Sequence, residues 1–157
     1  MSANFVDPIV FLDRLHKKEV RYLLVGRQAV IQYGAPVQTM DYDIYLHPSA
    51  QDLERLRGVA EELDLEGMPE PGSTRPLFTL LADGFKADIF RARGYSLPDG
   101  TKLDFEDMHR AHVVLADATL TVHVPCLADL IRTKQLRDSP RDREDLAYLR
   151  LIAARSA

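Results

Sequence analysis

Asp41 and Asp43 stand two residues apart at the start of the β-rich run Asp41-Tyr42-Asp43-Ile44-Tyr45-Leu46. Residues i and i+2 of a strand share a face, so the two carboxylates project side by side. At about 5 Å and an effective dielectric of about 20 they repel by on the order of 3 kcal/mol. A bound cation removes that penalty, which makes the pair a metal-ligand candidate. Fifteen residues upstream of Asp41, Gly26 follows the apolar run Tyr22-Leu23-Leu24-Val25. A strand turning into a helix there leaves backbone N–H groups pointing outward, the makings of an anion site. Acidic ligands facing a phosphate cradle point to a protein that handles a metal–nucleotide complex.

The rest of the chain reads as the scaffold for those positions. Asp7-Pro8 is an N-cap followed by proline at the first helical position, and Ile9, Val10, Leu12 and Leu15 recur at helical spacing as far as Lys17-Lys18. Val20 to Val25 is a short buried strand. A helix over 27–33 follows, stopped by Gly34 and Pro36. Residues 41–46 form the second strand, and Ser49 caps a third helix that buries Leu53, Leu56, Val59, Ala60 and Leu63 while Asp52, Glu54, Arg55 and Arg57 face water.

The segment 67–76 holds two glycines and three prolines and reads as an irregular surface loop. Residues 77–81 and 85–90 flank Ala82-Asp83-Gly84 as a hairpin, which puts Asp88 on a strand. Residues 91–101 are loop-like, and 112–115 with 120–124 make a second hairpin. Leu127 opens a helix that carries Lys134, and Asp138-Ser139-Pro140 separates it from a last helix with Leu146, Leu149, Leu151 and Ile152 inside. The pattern is an α/β (α+β) domain with a small mixed sheet flanked by helices. It is a single unit over residues 1–157, with a core over about 20–124 and a C-terminal helical part over about 126–155.

Asp88 adds a third carboxylate to Asp41 and Asp43, and three hard oxygen ligands select Mg²⁺ or Mn²⁺ over softer metals. In a two-metal scheme Asp41 and Asp43 hold the nucleotide-bound ion. Asp88 lies beside the attacking oxygen as metal ligand, general base or both.

Gly26 at a strand end, a helix, Thr39-x-Asp41-x-Asp43, and Asp88 within Lys86-Ala87-Asp88-Ile89 resemble, in that order, the minimal nucleotidyltransferases of the DNA polymerase beta-like superfamily. The final third, with Asp129-Leu130-Ile131-Arg132-Thr133-Lys134 and Arg141-Asp142-Arg143-Glu144-Asp145-Leu146, looks like the C-terminal helices of AbiEii-type antitoxin and abortive-infection relatives. The resemblance implies a nucleotidyltransferase fold and transfer of a nucleoside monophosphate from a nucleoside triphosphate to a hydroxyl on RNA, protein or a small molecule. It also implies a toxin or antitoxin partner. Gly26 and Thr39 would approach the nucleotide, and Lys134 would reach its phosphates from the later helix.

The chain departs from that pattern at two places. Arg27 stands where relatives carry glycine or serine, and Val37 where many carry arginine. Arg27 either supplies the missing charge or blocks the pocket. A blocked pocket would make the protein a catalytically inactive module, antitoxin-like or nucleotide-sensing.

Other features bound the function rather than name it. A formal net charge of −4 argues against tight, non-specific DNA binding. The single cysteine, Cys126, forms no internal disulfide, residues 1–5 lack a secretory leader, and no run of about 20 apolar residues exists, so a cytoplasmic protein without membrane function is expected. His16, His47, His109, His112 and His123 come with no metal-ligand spacing and read as structural, the i, i+3 pair His109 and His112 included. Asp142 and Asp145, beside Arg141 and Arg143, read as a solvated, salt-bridged helix start. Lys134 is either an ordinary exposed helix lysine or a phosphate contact.

Overall fold

A computed structural model of the chain describes residues 5–136 and 138–155. In chain order its elements are α1 (Pro8–Lys17), β1 (Tyr22–Val25), α2 (Gly26–Gln32), β2 (Asp41–Leu46), α3 (Ala50–Glu62), β3 (Leu77–Ala82) and β4 (Phe85–Phe90). A short hairpin of β5 (Gly94–Ser96) and β6 (Lys102–Asp104), then α4 (Phe105–Arg110), the hairpin β7 (Val113–Ala116) and β8 (Thr121–Val124), α5 (Leu127–Thr133) and α6 (Pro140–Arg155) complete it. Residues 1–4 of the N-terminal segment lie outside the described residues. No described helix is long and apolar enough to cross a membrane.

Caps set the helix starts as the sequence indicates. The Asp7 carboxylate accepts from the Ile9 N–H at 2.9 Å, and the Ser49 hydroxyl accepts from the Asp52 N–H at 3.1 Å. Gly34, at φ +102°, follows the α2 C-cap Tyr33 and lets the chain leave the helix. Between α4 and its flanks the sequence reading fails, because 91–101 is not loop throughout. Gly94–Ser96 pairs antiparallel with Lys102–Asp104. Asp104 then caps the short α4 by accepting from the Asp107 N–H at 3.1 Å.

The four longer strands form one mixed sheet of order β1-β2-β4-β3, in which β2 and β4 run parallel and the outer pairs antiparallel. Alternation gives its two faces different tasks. Tyr22, Leu24, Ile44, Leu46, Phe78, Leu80, Ala87 and Ile89 point into the main core, against α1, α3 and the β7–β8 hairpin. Leu23 and Tyr45 point the other way, into a smaller cluster with Leu97, Leu103, Phe105 and Met108. Leu151, expected inside, is 55% exposed, whereas Leu149 is fully buried.

Asp52 corrects the expectation that its carboxylate faces water. It has no exposed surface and is held by the Arg21 N–H at 2.8 Å, the Arg21 Nε at 2.9 Å and the Ser49 hydroxyl at 2.7 Å. Burial alone would raise its pKa, but the bonds from Ser49 and Arg21 outweigh that and lower it.

The five histidines, with Phe105 between His47 and His109, form a continuous run of ring contacts. His16 Nδ1 lies 2.9 Å from His123 Nε2, and His123 Nδ1 lies 2.9 Å from His112 Nε2. His109 stacks on His112 with ring centroids 4.3 Å apart, and the His47 ring meets Phe105 edge-on.

Candidate active site

The register of the sheet builds one row of side chains straight across it. Val25 on β1 is opposite Asp43 on β2, Asp43 is opposite Asp88 on β4, and Asp88 is opposite Thr79 on β3. Register partners on neighbouring strands share a face, so Asp43 and Asp88 are direct neighbours although 45 residues separate them in the chain. Asp41 belongs to the same face one row further along, opposite Lys86. All three aspartates therefore lie on one side of the sheet.

The polar contacts of this face are specific. The Thr79 hydroxyl donates to Asp88 Oδ1 at 2.7 Å, and Lys86 Nζ stands 3.9 Å from Asp88 Oδ2. Lys86, not singled out from sequence, brings a positive charge among the three carboxylates. The Thr39 hydroxyl accepts from the Asp41 N–H at 3.2 Å, and its carbonyl accepts from the Gln28 side chain at 3.0 Å. Thr39 thus fixes the entry of β2 against α2.

β1 ends at Val25, and the chain turns over Asp43 at Gly26, whose φ is +68°. A Cβ built on Gly26 would stand 2.1 Å from Asp43 Oδ2 and 2.9 Å from its Cγ. The carboxylate fills the space that a side chain at position 26 would need. No other residue type fits this bend.

Among the described residues, no three carboxylate, imidazole or thiolate groups are gathered closely enough to hold a metal ion as they stand. The donor set nevertheless suits a hard divalent cation: two aspartates in direct register, a third on the same face, and a cavity that Gly26 and Asp43 line together. Asp43 and Asp88 come together from different parts of the chain. Asp41 stands apart by one row and is exposed.

Beside this face lies a cavity of about 360 Å³. Gly26, Asp43, Lys134 and Asp142 supply its polar end, and Tyr45, Phe90, Tyr95, Leu103 and Met108 its apolar walls. Burial pushes the Tyr45 and Tyr95 phenols above their ordinary pKa, so both stay neutral walls. The Tyr45 hydroxyl donates to the Ala92 carbonyl at 2.8 Å. Tyr95, Leu103 and Met108 come from the β5–β6 hairpin and α4, elements the sequence reading did not resolve. The N-cap Asp104 three residues before Asp107 is the local signal for α4.

Four basic and acidic positions differ from expectation. Arg27 neither enters nor blocks the cavity. Its guanidinium turns to α6, where Nε meets Asp145 at 3.1 Å and Nη2 meets Glu144 at 3.1 Å, and Nη1 reaches the Gln38 carbonyl at 3.4 Å. Lys134, just past α5, is 5% exposed rather than a surface lysine, and its Nζ is 2.8 Å from Asp145 and 3.6 Å from Asp142. Asp142 and Asp145 are 4% and 1% exposed, so the helix start is salt-bridged as expected but buried rather than solvated. Asp142 also accepts from the Ser139 hydroxyl at 2.7 Å. Charged groups so placed are retained because opposite charges from other elements reach them.

No protein-family model and no curated protein matches the chain. Solved structures do. The lincosamide antibiotic adenylyltransferase LnuA, with lincomycin bound, superposes with a TM-score of 0.65 at 17% identity, over 95% of this chain and 99% of that one. A protein of Thermotoga maritima provisionally classed as a nucleotidyltransferase gives a TM-score of 0.58 at 20% identity, over 94% of this chain and 83% of that one. ANT(2″)-Ia, in complex with adenylyl-2″-tobramycin, gives 0.54 at 14% identity, over 94% and 95%. At such identities the likeness concerns architecture. The chain has the nucleotidyltransferase fold, a small mixed sheet flanked by helices.

Proposed function

We propose that the protein transfers a nucleoside monophosphate from a nucleoside triphosphate to a hydroxyl of a small-molecule acceptor, with Mg²⁺ or Mn²⁺ as cofactor. The observation that carries this reading is the bend at Gly26 packed on Asp43, with Asp88 beside Asp43 in register. That arrangement gives a backbone an anion can approach closely, next to paired hard ligands. Asp43 and Asp88, with Asp41, would hold the divalent ion, which supplies charge neutralisation on the phosphate being transferred.

In this reading the triphosphate lies against Gly26, with Lys134 offering its ammonium from the cavity wall. Asp88 accepts the proton of the acceptor hydroxyl, whose oxygen forms the new bond to the α-phosphorus as pyrophosphate leaves. Thr79 holds the Asp88 carboxyl from the far side, so that one of its oxygens stays engaged and oriented. The cavity's apolar walls and its size suit a compact organic acceptor better than a nucleic acid strand. Two of the structural neighbours, the lincomycin-bound and the adenylyl-tobramycin-bound proteins, support a small-molecule acceptor.

Incubating the protein with each α-labelled triphosphate, Mg²⁺ and a panel of polyhydroxylated small molecules tests the reading. Label should move to a small molecule with release of pyrophosphate, and Asp43→Asn should abolish the transfer. Binding of triphosphate with no transfer to any fraction of a cell extract would favour a binding module instead.

A further inference from the structure

Gly26 is flanked by two cations, Arg27 in the first turn of α2 and Lys134 past the end of α5, and only Lys134 lines the cavity. The difference is made by α6. Asp145 is 1% exposed and accepts from both: Arg27 Nε on Oδ1 at 3.1 Å and Lys134 Nζ on Oδ2 at 2.8 Å. One carboxylate on α6 therefore joins the end of α5 to the start of α2, Arg27 lying 118 residues away from it in the chain.

We infer that Asp145 is a positioning residue that sorts these two cations, holding the Lys134 ammonium at the cavity wall and drawing the Arg27 guanidinium out of it. This rests on the nucleotidyl-transfer reading and names a residue that reading does not use. An ammonium has three N–H donors. Asp145 takes one at 2.8 Å, Asp142 stands further off at 3.6 Å, and the residue's placement on the cavity leaves its charge facing the space beside Gly26 and Asp43. A four-carbon stem without such an anchor samples many rotamers, and ordering it at the moment of ligand binding costs affinity. Arg27 carries the longer, forked group, and it is turned away by Asp145 together with the exposed Glu144. Removing the Asp145 charge lets Lys134 relax, whereas Arg27 keeps Glu144 and the Gln38 carbonyl, so the loss falls on the Lys134 contact.

The experiment is a double-mutant cycle on binding of Mg²⁺ with ATP, GTP, CTP and UTP by calorimetry, using wild type, Asp145→Asn, Lys134→Met and the double variant. Asp145→Asn should weaken the preferred triphosphate by about tenfold, in line with loss of one charge-assisted hydrogen bond. In the Lys134→Met background the same change should add less than about twofold. Losses that multiply in the double variant, or native affinity in Asp145→Asn, overturn the inference.

A measurement on the unmodified protein guards against a variant that fails to fold. The Lys134 ammonium should give a slowly exchanging NMR signal, unlike those of exposed lysines such as Lys17. Rapid exchange overturns the inference. Absence of triphosphate binding by the wild type would instead remove the nucleotidyl-transfer reading, and the ammonium signal would still report whether Asp145 holds Lys134.

Discussion

Gly26 and Asp43 occupy the same space: the hydrogen that stands for a side chain at position 26 leaves room for the carboxylate of position 43, and a Cβ there would lie 2.1 Å from Asp43 Oδ2. Gly26→Ala must therefore move Asp43 as well as strain the backbone at φ +68°. The expected cost is about 1–3 kcal/mol of stability with loss of nucleotide binding. Gly34→Ala is the comparison, since φ is +102° there and no atom lies within 4 Å of the added Cβ. It should cost about 1–2 kcal/mol and leave triphosphate binding intact. Urea denaturation and calorimetry of the two variants separate steric from conformational effects.

Asp88→Asn should keep the fold, because its side chain still accepts from the Thr79 hydroxyl at Oδ1. Transfer should fall by about 10²–10⁴-fold, the range for loss of a positioned general base. Single-turnover assays at saturating triphosphate report this directly. A variant as active as wild type would falsify the role given to Asp88.

Stability should decline below neutral pH in a window set by the histidine chain. His112 Nδ1 donates to the His109 carbonyl, so a neutral His112 accepts at Nε2 from His123 Nδ1–H, and His123 Nε2 then accepts from His16 Nδ1–H. Burial, with the neighbouring His112, His16 and His109, lowers the His123 pKa to about 4. A depressed histidine pKa means that the unfolded chain takes up the proton first. The associated loss of stability begins as pH falls through about 6.5 and is complete near 4, with His109 shifted in the same direction. The surroundings of His109 include Glu106, which opposes that shift, and Arg21 and His47, which add to it. Denaturant midpoints measured from pH 7.5 to 4.5 should fall more steeply for wild type than for His123→Phe.

Asp52→Ala should destabilise by about 2–4 kcal/mol, since it removes a buried carboxylate that meets Arg21 through its N–H, Nε and Nη2 and Ser49 through its hydroxyl. The Asp52 pKa is lowered, so its contribution is present at neutral pH and is lost only as pH falls through its depressed value, below the histidine window. The variant should therefore lose midpoint stability equally at pH 7.5 and pH 6.

Local order was legible in the sequence because its causes are local. Asp7-Pro8, Ser49 and Gly34 mark helix ends by contacts within a few residues, and the alternation in 85–90 places Asp88 on a strand with Phe85, Ala87 and Ile89 buried. The strand spacing also puts Asp41 and Asp43 on one face. The parallel pairing that sets Asp88 opposite Asp43 was not written in either segment, since it depends on the crossover through α3 and the 67–76 loop.

Buried charge was the other blind spot. Asp52, Lys134, Asp142 and Asp145 look like surface residues in a helical window, and each is buried because a charged partner reaches it from another element. The hairpin over 94–104 escaped notice because its strands are three residues each, too short for a period to declare itself.

That hairpin forms its own two-stranded sheet, separate from the four-stranded ladder that carries the aspartates. Insertions or swaps around Tyr95 and Leu103 can recast the apolar wall without breaking any rung between Asp43 and Asp88. In the proposed reaction, the aspartates and much of the acceptor wall thus belong to different pieces of backbone, so acceptor preference could diverge while the phosphate end stays fixed.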